Sequence, residues 1–186
     1  MPIHGWFLAL WCLLAVATVQ AQGRYFTKTG RISFTSHAPL EDIEAVNKTA
    51  SAVLDAKTGQ LQFAVLMKGF EFKKALMQEH FNENYVESHK YPKAEFRGSI
   101  VNNADVNYTK DGTYQARARG QLSLHGVTRD IDVPATLQVQ GGKVEGRATF
   151  PVRVADYNIT IPSLVKDKIS NTVNVTVQVR LEPLAN

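Results

Sequence analysis

The stretch SLHGVTRDID, Ser123 to Asp132, places a serine, a histidine and two aspartates close together. These are the residue types of a hydrolase triad. Such a triad needs nucleophile, base and orienting acid in one pocket, each within hydrogen-bonding reach of the next. Side-chain parity argues against that here. The segment before it, TYQARARGQLSL, puts Tyr114, Ala116, Ala118, Gly120, Leu122 and Leu124 on one face, so Ser123 points to the other. After the turn Ile131 and Val133 face inward, which sends Asp130 and Asp132 outward. His125 and Gly126 fall at the reversal. The stretch therefore reads as a hairpin whose polar residues face solvent. The chain has no G-x-S-x-G elbow either.

A second polar group, His80, Glu83, Glu87 and His89, is the only other hint of catalysis. For a metal the spacing is wrong: His37, His80, His89 and His125 include no i,i+4 pair and no H-E-x-x-H. No metal, cofactor or catalytic residue is expected. Net charge is +4 with Lys and Arg scattered singly, so nucleic acid is not an expected partner.

Several elements must position whatever chemistry remains. Residues 1–21 read as a cleaved signal peptide, with an uncharged apolar run from Trp6 to Val19 and small residues at Val19 and Ala21. The run is too short for a confident membrane span, and no stable membrane anchor is expected. Cys12, the only cysteine, lies inside it behind Trp11, where a lipoprotein signal needs a small residue. The mature chain, residues 22–186, is then a single exported domain without disulfides.

From Arg24 onward, period-two patterning marks eight strands, near 24–36, 45–55, 60–70, 93–103, 113–124, 130–139, 143–154 and 170–181. VNVTVQVRL is the clearest, with Val173, Val175, Val177, Val179 and Leu181 on one face. Turn residues such as Gly141-Gly142 imply antiparallel neighbours. One helix is predicted, over Phe72 to Val86, between strands three and four. Four N-x-T sequons, at Asn47, Asn107, Asn158 and Asn174, read as outward polar positions. Closure removes sheet edges, so the predicted fold is an all-β, eight-stranded antiparallel barrel.

Such a barrel is either filled by its side chains or hollow enough for one small ligand. Small residues recur at inward mid-strand positions: Gly98, Ala116, Ala118, Gly120, Gly146 and Ala148. The expected cavity lining is these six together with Phe63, Met67, Phe96, Tyr114, Leu122 and Phe150. Tyr157, Ile159 and Leu164 are expected at the mouth, with Asn158, Lys166 and Lys168 as polar candidates there. The alternative is that the large side chains fill the interior. The domain would then act through a protein partner, docked on an apolar patch around Ile159 to Val165.

Three stretches together resemble a known family: FNENYVESHKYPKAEF (Phe81–Phe96), GQLSLHGVTRDIDVP (Gly120–Pro134) and DYNITIP (Asp156–Pro162). The K-Y-P-x-x-x-F and L-x-L-H-G-V-T elements are its more specific parts. The chain resembles the YceI-like exported bacterial proteins over essentially its whole mature length. The resemblance implies a lipocalin-like barrel with an elongated internal cavity, binding of long isoprenoid or other lipid-like molecules, and a periplasmic or secreted location. It names no protein partner, and a homodimer stays open.

Overall fold

The computed structural model of the chain describes residues 23–184. The expected signal peptide, residues 1–21, lies outside the described residues. The strands are β1 (Arg24–His37), β2 (Asp42–Asp55), β3 (Gln60–Leu66), β4 (Glu71–Phe72), β5 (Lys93–Ile100), β6 (Gly112–Leu124), β7 (Val127–Gln140), β8 (Lys143–Arg153) and β9 (Thr172–Pro183). All pairings are antiparallel, and the order β1-β9-β8-β7-β6-β5-β3-β2 closes through β1 and β2. The result is an eight-stranded barrel. The two-residue β4 lies outside it, paired with β2. Among the described residues the only α-helix, α1 (Ala75–His80), falls between the third and fourth barrel strands.

The third strand ends earlier than its apolar pattern suggests. At Leu66 the carbonyl accepts a hydrogen bond from the Asn47 side chain (2.9 Å), and Met67 N–H turns to the Pro92 carbonyl (2.9 Å). Asn47 is fully buried rather than outward; its Oδ1 also accepts from the amide and hydroxyl of Thr49. A buried amide needs such partners, because leaving it unpaired costs about 1–3 kcal/mol.

The helix is shorter than its periodicity predicts. Glu71 and Phe72 are taken by pairing with β2, so α1 starts at Ala75. Beyond His80 the chain widens, and Val86 N–H reaches back five residues to the Phe81 carbonyl (2.9 Å). Phe81 sits among Phe34, Phe70 and Phe72, with ring centroids 5.5, 5.7 and 5.0 Å away. Offset and edge-on rings at these distances attract beyond their area burial. This cluster fixes α1 over one end of the barrel.

Gly98 and Gly120 face each other across β5 and β6. A Cβ on Gly98 would strike the Arg119 carbonyl and come within 2.7 Å of the Phe96 ring. One on Gly120 would strike the Arg97 carbonyl and the Gly98 Cα. These glycines let two backbones approach closely, which is a known use of glycine inside strands.

The hairpin between β6 and β7 is a two-residue reversal with positive φ at both central positions, His125 (50°) and Gly126 (74°). That is the turn whose twist matches the flanking strands. Glycine is required at the second position because a Cβ would lie 2.5 Å from the Tyr91 ring.

Candidate functional site

The barrel encloses a cavity of about 580 Å³, within the range typical of small-molecule sites. Inward side chains such as Leu122, Ile131, Ala135, Ala148, Phe150, Val175 and Val177 keep partial exposure although they point into the barrel. That exposure comes from the void they line.

One end is closed. Leu54, Leu61, Ile100, Leu137 and Leu181 form the floor. Beneath them pack Tyr25, Val106, Tyr108, Ala116, Val139 and Val144. The loop after β5 swings under the barrel to supply Val106 and Tyr108. Tyr108 donates to Asn103 Oδ1 (2.7 Å), and Asn103 Nδ2 donates to the Ala56 carbonyl (2.9 Å). Burial, with a smaller contribution from Tyr25, pushes the Tyr108 hydroxyl up to about 12.

The other end opens beside α1 and the connection between β8 and β9. Leu76, Met77, His80 and Phe81 contribute from the helical side, and Ile161, Val165, Lys168, Ile169 and Ser170 from the connection. Glu41 and Lys74 also reach the mouth, where they pair at 2.7 Å. The wall between the two ends is apolar.

Of the lining predicted from parity, Phe63, Met67, Phe96, Ala118, Leu122, Gly146, Ala148 and Phe150 line the cavity. Gly98, Tyr114, Ala116 and Gly120 do not. The two glycines are used in the close approach of β5 and β6. Ala116 packs in the core below the floor, and Tyr114 donates its hydroxyl to the Lys110 carbonyl (2.9 Å) at the closed end. At the mouth, Ile159 lines the cavity from a buried position. Tyr157 is buried beside the cavity without lining it, and Leu164 is 95% exposed on the outside. Parity found the wall but missed the aromatic lid and the Ile161–Ser170 rim. Phe81 of that lid and the whole rim come from irregular chain, where period two carries no signal.

The polar stretch around His125 is resolved into separate partnerships. Ser123 hydrogen-bonds Thr128 (2.7 Å), while Asp132 binds Arg117 (2.5 Å) and Arg119 (2.8 and 3.0 Å) on the outer face. Those two guanidinium groups hold the Asp132 carboxyl below the usual range. His125 does not face solvent: its side chain is 8% exposed. Nδ1 lies 2.9 Å from the Tyr157 carbonyl and Nε2 lies 2.8 Å from Glu87, with the Tyr91 ring edge-on at 4.6 Å. Both polar partners offer acceptor oxygens to the ring. The His125 hydrogen bond holds the Glu87 carboxyl below its ordinary value, against the opposing effect of desolvation. The imidazole thus ties the loop after α1 to the loop after β8, and its two nitrogens are occupied. Glu87 pairs with His125, and His80 lines the mouth.

A closed antiparallel barrel with an apolar interior, one sealed end and one polar mouth is the architecture of a barrel binding protein. The chain belongs to the YceI-like domain family, which it matches over residues 17–181. Among solved structures it is similar to a polyisoprenoid-binding domain from Saccharophagus degradans implicated in plant cell wall breakdown. That match has TM-score 0.77 at 17% identity and covers 88% of this chain and 99% of that one. It is also similar to BcnA of Burkholderia cenocepacia (TM-score 0.67, 16% identity, covering 82% and 95%). A third is the YceI protein of Campylobacter jejuni (TM-score 0.58, 16% identity, covering 77% and 86%). At these identities the likeness is one of fold. No curated protein matches the chain.

Proposed function

We infer that this protein is an exported, non-catalytic carrier or scavenger that holds a long lipid-like molecule, isoprenoid or otherwise, inside its barrel. The observation that carries this reading is the 580 Å³ apolar cavity, closed at one end and open at the other. The polyisoprenoid binding described for the Saccharophagus degradans domain supports the ligand class. The apolar run at Trp6–Val19 supports export to the periplasm or beyond. Burial of each methylene contributes roughly 0.8 kcal/mol, and a chain filling the site gains enough to offset the ordering costs of association. Such binding needs no catalytic group. The filled-barrel alternative requires an interior without this void.

The test is mass spectrometry of an organic extract from the protein purified out of its native periplasm, beside an extract of a denatured control protein. A stoichiometric lipid or isoprenoid is expected. An empty extract, together with no thermal shift on adding long-chain lipids, overturns the reading.

A further inference from the structure

We propose that the connection between β8 and β9 is a flap beside the mouth, and that His125, which lies outside the cavity, holds the root of that flap and so sets how fast ligand enters and leaves. This rests on the binding function inferred above and adds to it a positioning residue for ligand exchange.

The floor is sealed and the wall is continuous sheet, so a ligand passes between the helical segment and the β8–β9 connection. The helical side is anchored by the Phe81 ring among Phe34, Phe70 and Phe72. The connection has no such anchor. From Thr160 to Ser170 none of its residues is buried, although Ile161, Val165 and Ile169 line the cavity. Segments with few buried groups open locally at a small free-energy cost. Two hydrogen bonds pin the far end of the connection: the Leu40 amide donates to the Asp167 carbonyl (2.9 Å), and the Ser170 amide donates to the Ser36 hydroxyl (2.8 Å).

The near end is held differently. Two side chains of the β6–β7 hairpin reach consecutive carbonyls there. Arg129 donates to the Asp156 carbonyl (3.0 Å) on the exposed side, and His125 Nδ1 lies 2.9 Å from the buried Tyr157 carbonyl. On its other side the imidazole is backed by Glu87 (2.8 Å), from the segment after α1, and by the Tyr91 ring. These contacts lie largely away from water, where a hydrogen bond is stronger. His125 thus joins the anchored side of the mouth to the root of the connection. Backbone strain marks the same place. Among the described residues, the non-glycine positions with positive φ are Glu87 (44°), His125 (50°) and Asn158 (56°). Glu87 touches His125, and Asn158 directly follows the carbonyl that His125 meets. A left-handed backbone is uncommon for a glutamate. Such conformations persist only where the surroundings enforce them, and they gather at clamps and switch regions. Parting of His125 from Tyr157 frees Asn158 to leave this conformation and lets the connection swing from the mouth.

The experiment is stopped-flow binding and release of a fluorescent fatty acid by the full mature chain, wild type against His125→Gly. Glycine adopts the positive φ of the turn and removes both contacts. Opening precedes both entry and exit. The two rate constants should therefore rise together by about tenfold, the weight of one or two lost hydrogen bonds, with Kd shifted by less than about threefold. His125→Asn also suits the turn and offers its amide near the place of Nδ1, so it should return the rates toward wild type. Should His125→Gly not fold, Glu87→Gly removes the backing at a φ that glycine adopts freely, and it must raise both rates. Amide hydrogen exchange reads the connection without ligand. The hydrogen-bonded amides of Val165, Lys168 and Ile169 should exchange about tenfold faster in His125→Gly, with the strand amides unchanged. Unchanged rates in a folded variant overturn the proposal. So does faster release alone with a matching loss of affinity, or His125→Asn behaving as His125→Gly does. Failure of the probe to bind wild type sinks the proposed function instead; hydrogen exchange then decides the flap, and equal protection in the two proteins overturns it.

Discussion

Ala148→Phe tests the hollow barrel from two sides. Ala148 lies opposite Ala135 on β7 and Val177 on β9, all three half-buried and facing the cavity. A phenyl ring occupies about the 150 Å³ of a benzene-sized cavity, so the substitution takes roughly a quarter of the 580 Å³ present. At ~30 Å³ per methylene that displaces about five carbons of ligand. At roughly 0.8 kcal/mol each, a chain that fills the wild-type site should lose about 4 kcal/mol, or on the order of a thousandfold in Kd. The ligand-free protein should melt at the same temperature or higher, because the ring enters empty space and finds apolar neighbours. A filled barrel behaves in the opposite way: overpacking costs about 1–3 kcal/mol, which in a domain of this size lowers Tm by roughly 2–12 °C. The assays are differential scanning calorimetry of lipid-stripped protein and displacement of a fluorescent fatty acid. Ala135→Phe is the companion variant from the neighbouring strand. A fall in Tm of that size in both variants, or unchanged affinity for a long-chain fatty acid in a well-folded variant, refutes the reasoning.

Three further outcomes are expected. Gly120→Val should leave little folded protein, since its side chain collides with the Arg97 carbonyl and Gly98 Cα; a loss of about 3 kcal/mol or more by urea denaturation is the check, and a wild-type midpoint would contradict it. Asp132 is held ionised by Arg117 and Arg119, so its lowered carboxyl adds stability that is present above about pH 4 and lost as pH falls through the lowered value. The Tm difference between wild type and Asp132→Asn should accordingly be full at neutral pH and shrink in acid; a difference that grows in acid contradicts the sign. Ultraviolet titration should show one tyrosine ionising late, near the value of about 12 set by burial, and Tyr108→Phe should remove that step.

What was legible in the sequence is the closed sheet. Alternation along Val173–Leu181, Ile131–Val139 and Tyr114–Leu124 fixes which face of each strand is apolar, and the short Gly and Asp turns fix antiparallel neighbours. Eight such strands leave few ways to bury one face, so the barrel and much of its lining follow. Parity is a local rule, however. It assigns a side to Gly98 and Gly120 but cannot say that they serve a backbone crossing instead of opening the cavity. It places Ala116 inward without its height along the barrel, which puts it below the floor. It sent His125 to solvent, because the Glu87 carboxylate and the Tyr157 carbonyl that enclose it lie 38 and 32 residues away in sequence. The mouth was the least legible part. Its rim is built from α1, from the widened turn holding Phe81, and from the Ile161–Ser170 connection, none of which has strand periodicity. The sequence by itself determined the strands, their facing and their closure, because period-two burial and tight turns are short-range effects. The depth of the cavity, its sealed end and the polar groups at its mouth were decided only by tertiary structure, because each depends on loops from distant segments meeting at the ends of the barrel.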